Sequence, residues 1–189
     1  MVKCNALMAS LIVMVSLTAG CSGTRDVKYY SLDSSDYFSK VGESTDKILF
    51  VKSVNVPEYL DTKSFIFRVN QHEVIYTNDN KWVEDLSVIL DNSLLKNLRN
   101  STDAWFVTND VTGNSTAELS VKINNFEINS SSTAVVDFDY KFVLKGQNMK
   151  MGTIHQEKTL DDDGYDSMVA ALNNAWQTGI SEMVLQTLK

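Results

Sequence analysis

Alternation of apolar and polar residues predicts most of the strands in this chain. From residue 134 to residue 145, apolar residues occupy every second position and four of the six residues between them are charged, which is typical of a strand with one buried face. Other apolar runs predict strands at 27–32, 47–56, 63–69, 73–77, 104–107 and 119–128, with a weaker one at 149–159. The run 47–56 begins apolar on both faces, which favours a central place in the sheet.

The strand at 119–128 has an irregularity in its pattern. Leu119, Val121 and Ile123 alternate, but the apolar positions resume at Phe126 and Ile128, one residue out of phase. A bulge at residues 124–125 would keep all of them on one face, whereas without a bulge the strand would change faces.

Two segments instead repeat apolar residues every three or four positions, which predicts amphipathic helices. The first extends from Val83 to Leu98, and the polar residues 77–80 are candidate N-caps for it. The second runs from Tyr165 to Leu188. The order of elements predicts an α+β fold: a mainly antiparallel sheet of about six to eight strands with both helices packed on one face.

The N-terminus differs from the rest of the chain. Lys3 precedes an apolar run at 6–17, and small residues then lead to Cys21. A run of about 12 apolar residues is shorter than the roughly 20 that cross a bilayer, so a cleaved signal is favoured over a permanent anchor. We therefore expect a signal peptide at 1–20, a lipidated tether at 21–28 and a single periplasmic domain at 29–189.

The segment Leu17–Cys21 resembles the lipobox that lipoprotein signal peptidase recognises. The resemblance implies that Cys21 becomes the first residue of the mature protein and carries a diacylglyceryl group, with fatty acids such as palmitate. In Gram-negative lipoproteins, Asp directly after this cysteine often retains the protein in the inner membrane; Ser22 is there instead, which favours the outer membrane and its periplasmic face. An ordinary secretory signal, cut elsewhere and leaving Cys21 as a free thiol, is the alternative.

Charge, composition and motifs argue against nucleic-acid binding, metal binding and catalysis. The net charge is −7 and the basic residues are scattered, so nucleic acid is not an expected partner. His72 and His155 have no neighbours at metal-ligand spacing, and no nucleophile elbow or phosphate-binding loop occurs, so we expect no enzyme activity and no cofactor besides the lipid on Cys21. The cluster Asp161–Asp163 is interpreted as capping the last helix. The larger apolar side chains are interpreted as core, with a lipid cavity as the alternative: Trp82, Trp105, Trp176, Met149, Met151, Met168 and Met183.

Several short motifs follow the lipobox in a fixed order. They are YYSL at 29–32, V-x-V-P-x-Y-L-D at 54–61, F-x-x-R at 65–68 and W-x-x-x-L at 82–86. Together they resemble the ABC-type transport auxiliary lipoproteins. The resemblance implies an outer-membrane lipoprotein that works with a periplasm-spanning MCE-domain protein and its inner-membrane partner in lipid transport, supports envelope integrity and assembles as a homo-oligomeric ring.

The residues that would contact such a partner are predicted from exposed loops. Tyr59 and Leu60 are apolar residues in an otherwise polar turn, and Asn70, Gln71 and His72 form the tip of a predicted hairpin. A docking protein is the first hypothesis for the function. A periplasmic lipid-binding carrier with an apolar pocket is the alternative, and a membrane-anchored hydrolase is a third possibility that lacks any recognisable catalytic residues.

Overall fold

The computed structural model describes residues 26–32, 46–110 and 113–188. These residues form one eight-stranded sheet and two helices, which confirms the α+β class. The elements in chain order are β1 (Lys28–Tyr30), β2 (Ile48–Val51), β3 (Ser64–Arg68), β4 (Val74–Trp82), α1 (Leu86–Ser101), β5 (Phe106–Thr108), β6 (Ala117–Asn129), β7 (Thr133–Leu144), β8 (Lys150–Thr159) and α2 (Tyr165–Thr187).

The sheet is built around β6. One edge of β6 pairs antiparallel with β7 along nearly its whole length, and β7 pairs in turn with β8. The other edge is shared by two shorter strands, since β2 pairs with its beginning and β3 with its end, both in parallel. Beyond these lie β5 next to β2, and β4 and then β1 next to β3. The placement of the 47–56 segment inside the sheet is confirmed, although only Ile48–Val51 forms a strand.

The prediction of a mainly antiparallel sheet is wrong. Four of the seven strand pairings are parallel, while the antiparallel ones are the hairpins β3–β4, β6–β7 and β7–β8. Hairpins join neighbours in the chain through short loops and can be recognised locally. Parallel pairing of β2 and β3 with β6 requires a crossover through α1 and β5, and local pattern does not reveal it.

The predicted bulge in β6 is confirmed. The register with β7 shifts between Ile123 and Asn125, so Asn124 is the extra residue. As a result, Phe126 and Ile128 are buried on the same face as the apolar residues before the bulge. The bulge therefore keeps one apolar face over a strand of 13 residues.

The beginning of the first helix was predicted too early. Residues 77–80 belong to β4, which is extended because β1 and β3 both pair with its second half. Helix α1 starts at Leu86, and Val83 is exposed instead of joining the buried stripe. The N-cap residue Asp85 makes no side-chain capping bond; the carboxylate of Asp61 accepts the Ser87 N–H at 3.0 Å and takes that role from a distant turn.

The core lies between the sheet and the two helices. Trp176 is fully buried and meets the Phe138 ring edge-on at 5.1 Å, and its indole N–H donates to Ser93 Oγ of α1 at 3.1 Å. Trp82 is also buried, with its ring 4.2 Å from that of Phe65. The interpretation of Trp82 and Trp176 as core is thus confirmed, as it is for Met183. It is wrong for Met149 and Met151, which are exposed where β8 begins, at the edge of the sheet.

Candidate functional site

The face of the sheet opposite the helices carries polar and charged side chains. On β7, Phe138 and Tyr140 are buried towards the helices, so Asp137, Asp139 and Lys141 project from the other face. The register places Asp139 opposite Lys122 of β6. The candidate functional surface consists of this polar face, the turn at 57–62 and the hairpin tip at 70–72.

A hydrogen-bonded row crosses the middle of this face. Asp137 accepts a hydrogen bond from the Asn125 amide at 2.6 Å, and its other oxygen contacts His155 Nδ1. The second ring nitrogen of His155 lies 3.5 Å from a carboxylate oxygen of Glu157. The hydrogen bond to Asp137 is the main cause of a raised pKa for His155; burial opposes this rise, and the charges of Asp137 and Glu157 add to it. His155 is therefore one member of this hydrogen-bonded polar row.

Asp139 is the centre of a second group of hydrogen bonds on this face. Thr153 Oγ1 donates to its carboxylate at 2.7 Å. Hydrogen bonds from the side chains of Asn124 and Thr153, in that order of importance, lower the pKa of Asp139, and the nearby charge of Lys122 adds to the effect. Asp139 is thus a half-buried, ionised carboxylate that already accepts hydrogen bonds.

The turn at 57–62 contains two of the predicted partner-binding residues. Its backbone is closed by bonds from the N–H groups of Leu60 and Asp61 to the Pro57 carbonyl, at 2.9 and 3.0 Å. Tyr59 is 41% exposed, as expected, but Leu60 is fully buried. The prediction that Leu60 is available to a partner is wrong, because its side chain belongs to the hydrophobic core.

Tyr59 is held against a buried ion pair. The Arg68 guanidinium binds the Glu127 carboxylate through two nitrogens, with Nη2 at 3.0 Å from Oε2, and the Glu127 side chain is only 4% exposed. Tyr59 donates its hydroxyl proton to the Asn124 carbonyl at 3.3 Å, and Tyr76 donates to the Tyr59 carbonyl at 3.1 Å. Burial, followed by the charge of Glu127, raises the pKa of Tyr59, so its hydroxyl stays protonated.

The hairpin tip is accessible as predicted. Asn70, Gln71 and His72 are all exposed. Asn70 Oδ1 accepts the His72 N–H at 2.9 Å, and the Asn70 amide donates to Glu73 at 3.1 Å, so the tip is locally ordered. Among the described residues no hydrogen bond joins this tip to Tyr59, although Arg68 lies at the end of the strand that leads into the tip. A partner-binding role for Tyr59 and for the tip stays a prediction.

The other sequence-derived sites have mixed outcomes. Cys21 lies outside the described residues. Within those residues, no three His, Cys, Asp or Glu side chains come together as metal ligands, and no helix is both long and apolar enough to cross a membrane. The prediction that Asp161–Asp163 cap the last helix is wrong, since the N-cap of α2 is Gly164 and no side chain caps it. The backbone instead bends so that the Asp162 N–H donates to Ser167 Oγ at 3.1 Å.

Sequence reasoning missed two features of this surface. The Arg68–Glu127 pair was not expected, because Glu127 alternates with apolar residues and would ordinarily face solvent. A groove of about 560 Å³ on the polar face was also missed; it is lined by Lys52, Ser120, Lys122, Lys141 and Met151 among others. These residues are far apart in the chain, and the sheet register alone brings them together.

The chain belongs to the family of ABC-type transport auxiliary lipoprotein components, whose sequence pattern matches residues 30–184. The match extends from the first strand into the last helix and confirms the family that the short motifs indicated.

Individual relatives agree with this assignment. The chain is 28% identical over 160 residues to the intermembrane transport lipoprotein PqiC of Escherichia coli strain K12, which spans 84% of this chain and 85% of that protein. PqiC of Shigella flexneri gives the same figures. Among solved structures, an uncharacterised protein has the same fold, with a TM-score of 0.74 and 24% identity over 85% of this chain and 98% of that one. A Xanthomonas campestris protein follows, with a TM-score of 0.67 and 14% identity over 83% and 92%.

Proposed function

We propose that the protein is a non-enzymatic auxiliary lipoprotein of an MCE/ABC-type intermembrane lipid transport system. In this role it docks the periplasm-spanning MCE-domain protein at the outer membrane, cooperates with the inner-membrane partner and supports envelope integrity. The family match over residues 30–184 carries the proposal, since it covers nearly every element of the fold. The intermembrane transport function in the name of the PqiC relatives supports the same role.

The geometry of the described residues suits docking better than catalysis. Tyr59 and Tyr76 present two exposed aromatic rings beside the polar sheet face, and the Tyr76 hydroxyl is held by its hydrogen bond to the Tyr59 backbone carbonyl. Exposed aromatic residues on a rigid support are typical anchors of protein interfaces because little conformational entropy is lost when they bind. We expect the partner to contact Tyr59 and the hairpin tip at Asn70–His72, and the lipoprotein to assemble as a ring around that partner.

The alternative, a carrier with lipid enclosed between sheet and helices, has less support. At Gly179 of α2 even an added Cβ would lie 2.8 Å from the Phe138 ring and 3.1 Å from Ile154. Trp176 and Phe138 fill the layer beside it, and both are fully buried. Close packing of this kind leaves no space for an acyl chain at this part of the interface.

Affinity purification of the full-length lipidated protein from its own host, in mild detergent, tests the proposal. We expect an MCE-domain protein among the co-purifying proteins identified by mass spectrometry. Tyr59→Ala should weaken its capture, while Leu185→Ala, on the exposed side of α2, should not. If only the lipoprotein and phospholipid are recovered, the docking role is contradicted and the carrier alternative is favoured.

Mass spectrometry of the mature protein tests the membrane anchor separately. We propose cleavage before Cys21 and acylation of that cysteine, which would hold the domain at the periplasmic face of the outer membrane. The expected N-terminal peptide begins with Cys21 and carries a diacylglyceryl group. A peptide that begins elsewhere, with an unmodified thiol at Cys21, would contradict this anchor.

A further inference from the structure

Three lysines surround a small residue on the polar face of the sheet. Ser120 of β6 lies opposite Lys141 of β7, and Lys122 follows two residues later on the same face. On the other side, the Lys52 N–H donates to the Leu119 carbonyl at 2.9 Å, so Lys52 runs alongside Ser120. The short Ser120 side chain thus forms the floor of the 560 Å³ groove, and three ammonium groups border it.

The charges in this groove are only partly balanced. Lys52 pairs with Glu118 at 3.1 Å, but neither Lys122 nor Lys141 forms an ion pair with a described residue. Lys122 and Lys141 carry like charges on neighbouring strands and therefore repel each other. They form a local positive patch in a chain whose net charge is −7. An anion bound over Ser120 would relieve that repulsion.

Asp139 is the carboxylate within the groove. Its carboxylate accepts hydrogen bonds from Thr153, at 2.7 Å, and from the Asn124 side chain, and it lies opposite Lys122 in the register. Asp139 therefore lowers the positive potential of the groove without neutralising either unpaired lysine by direct contact.

We propose that this groove binds the phosphate group of an anionic phospholipid. The phosphate lies over Ser120 within reach of Lys52, Lys122 and Lys141, and the adjoining glycerol and acyl portion contacts Met151. Met151 lies opposite Lys141 and is 65% exposed, so an apolar contact is placed next to the cationic site. The choice of a lipid over an acidic protein segment rests on this pairing and on the proposed role in lipid transport.

Short-chain lipids test the proposal on the full-length lipidated protein in neutral detergent. Binding of dihexanoyl-phosphatidylglycerol is measured by isothermal titration calorimetry and compared with dihexanoyl-phosphatidylcholine and inorganic phosphate. We expect the anionic lipid to bind most tightly and to weaken as salt is added. Equal binding of the two lipids would overturn the charge-based site. Inorganic phosphate that binds as tightly as the anionic lipid would overturn the assignment to a lipid.

Charge-matched variants locate the site. The triple variant Lys52→Gln, Lys122→Gln, Lys141→Gln should lose about tenfold or more in affinity, since three charge-assisted contacts are removed. Lys28→Gln, Lys63→Gln, Lys96→Gln changes the net charge equally and should bind like the wild type. Asp139→Asn should bind several-fold more tightly. Equal affinities of both triple variants, or weaker binding by Asp139→Asn, would overturn the proposal.

The same variants separate this inference from the proposed docking function. Capture of the MCE-domain partner by the groove variant reports on docking, whereas calorimetry reports on lipid. Loss of lipid binding with normal capture supports a lipid site that is distinct from the docking surface. If the wild-type protein captures no MCE-domain partner in the affinity purification, the docking proposal is contradicted. The lipid site is then decided by the calorimetric comparison of the variants alone.

Discussion

Replacement of Arg68 with Leu would leave the Glu127 carboxylate buried without its counter-charge. The Glu127 side chain is 4% exposed and that of Arg68 is 29% exposed. Removal of one partner from a buried pair typically costs about 3–5 kcal/mol. Because Arg68 is partly exposed and water can enter where its side chain was, we expect Arg68→Leu to lower the free energy of unfolding by about 2–4 kcal/mol.

The double variant Arg68→Leu, Glu127→Leu removes both charges together. Replacement of a whole buried pair by apolar residues is often close to neutral, so we expect it to unfold within about 1 kcal/mol of the wild type. The double variant should therefore be more stable than Arg68→Leu. A higher free energy of unfolding for the double variant than for the single variant would indicate an uncompensated charge in the single variant. Loss of packing alone would not produce this order.

Urea unfolding followed by tryptophan fluorescence measures both effects, because Trp82 and Trp176 are buried and report on the core. The control is Lys52→Ala, which breaks an exposed pair with Glu118 and should cost less than about 1 kcal/mol. The reasoning is refuted if Arg68→Leu unfolds like the wild type, or if the double variant is as unstable as the single one.

Three further predictions concern the packing and the titratable groups. Gly179→Ala should lower the urea midpoint, because crowding against Phe138 and Ile154 costs about 1–3 kcal/mol and the gain in helix propensity is only about 1 kcal/mol; Thr178→Ala on the exposed side of α2 should not lower it. Asp91→Ala should cost about 1–3 kcal/mol, since the Val54 N–H loses its acceptor. Asp91→Asn keeps an acceptor for this N–H and should be less destabilising. Burial raises the pKa of Asp91, so the stability of the wild type increases as the pH falls through the folded-state pKa. Any greater stability of the Asn variant over the wild type is therefore confined to pH values above that pKa. His155→Gln should lower stability by less than about 1 kcal/mol below the unfolded pKa of 6.5 and have no effect once the pH exceeds the raised folded-state pKa, as urea curves across that range would reveal.

Features that depend on local pattern were predictable from the sequence. The phase change after Ile123 indicated the bulge at Asn124, because only a bulge keeps Phe126 and Ile128 on the buried face. The hairpins and the second helix followed from alternation and helical period in the same way. The strand predicted at 27–32 was also found from its residues, although β1 covers only Lys28–Tyr30 of that segment.

Features that depend on distant pairing were not predictable. The start of α1 was misplaced because residues 77–80 have cap-like side chains, yet strand pairing with β1 outweighs that preference. Leu60 was taken as exposed because its neighbours in the turn are polar, and only the packed core shows where its side chain lies. The lysine groove required the register of three adjoining segments, which no local pattern contains.

Photo-crosslinking from Tyr59 tests the central claim, docking of an MCE-domain partner, most directly. Tyr59 is replaced by p-benzoylphenylalanine in the full-length lipoprotein, expressed in its own host, and crosslinked proteins are identified by mass spectrometry. The same replacement at Leu185, which is 55% exposed on α2, is the control. We predict a crosslink to the MCE-domain protein from position 59 and none from position 185. No crosslink from position 59, or equal crosslinking from both positions, would contradict docking through this surface.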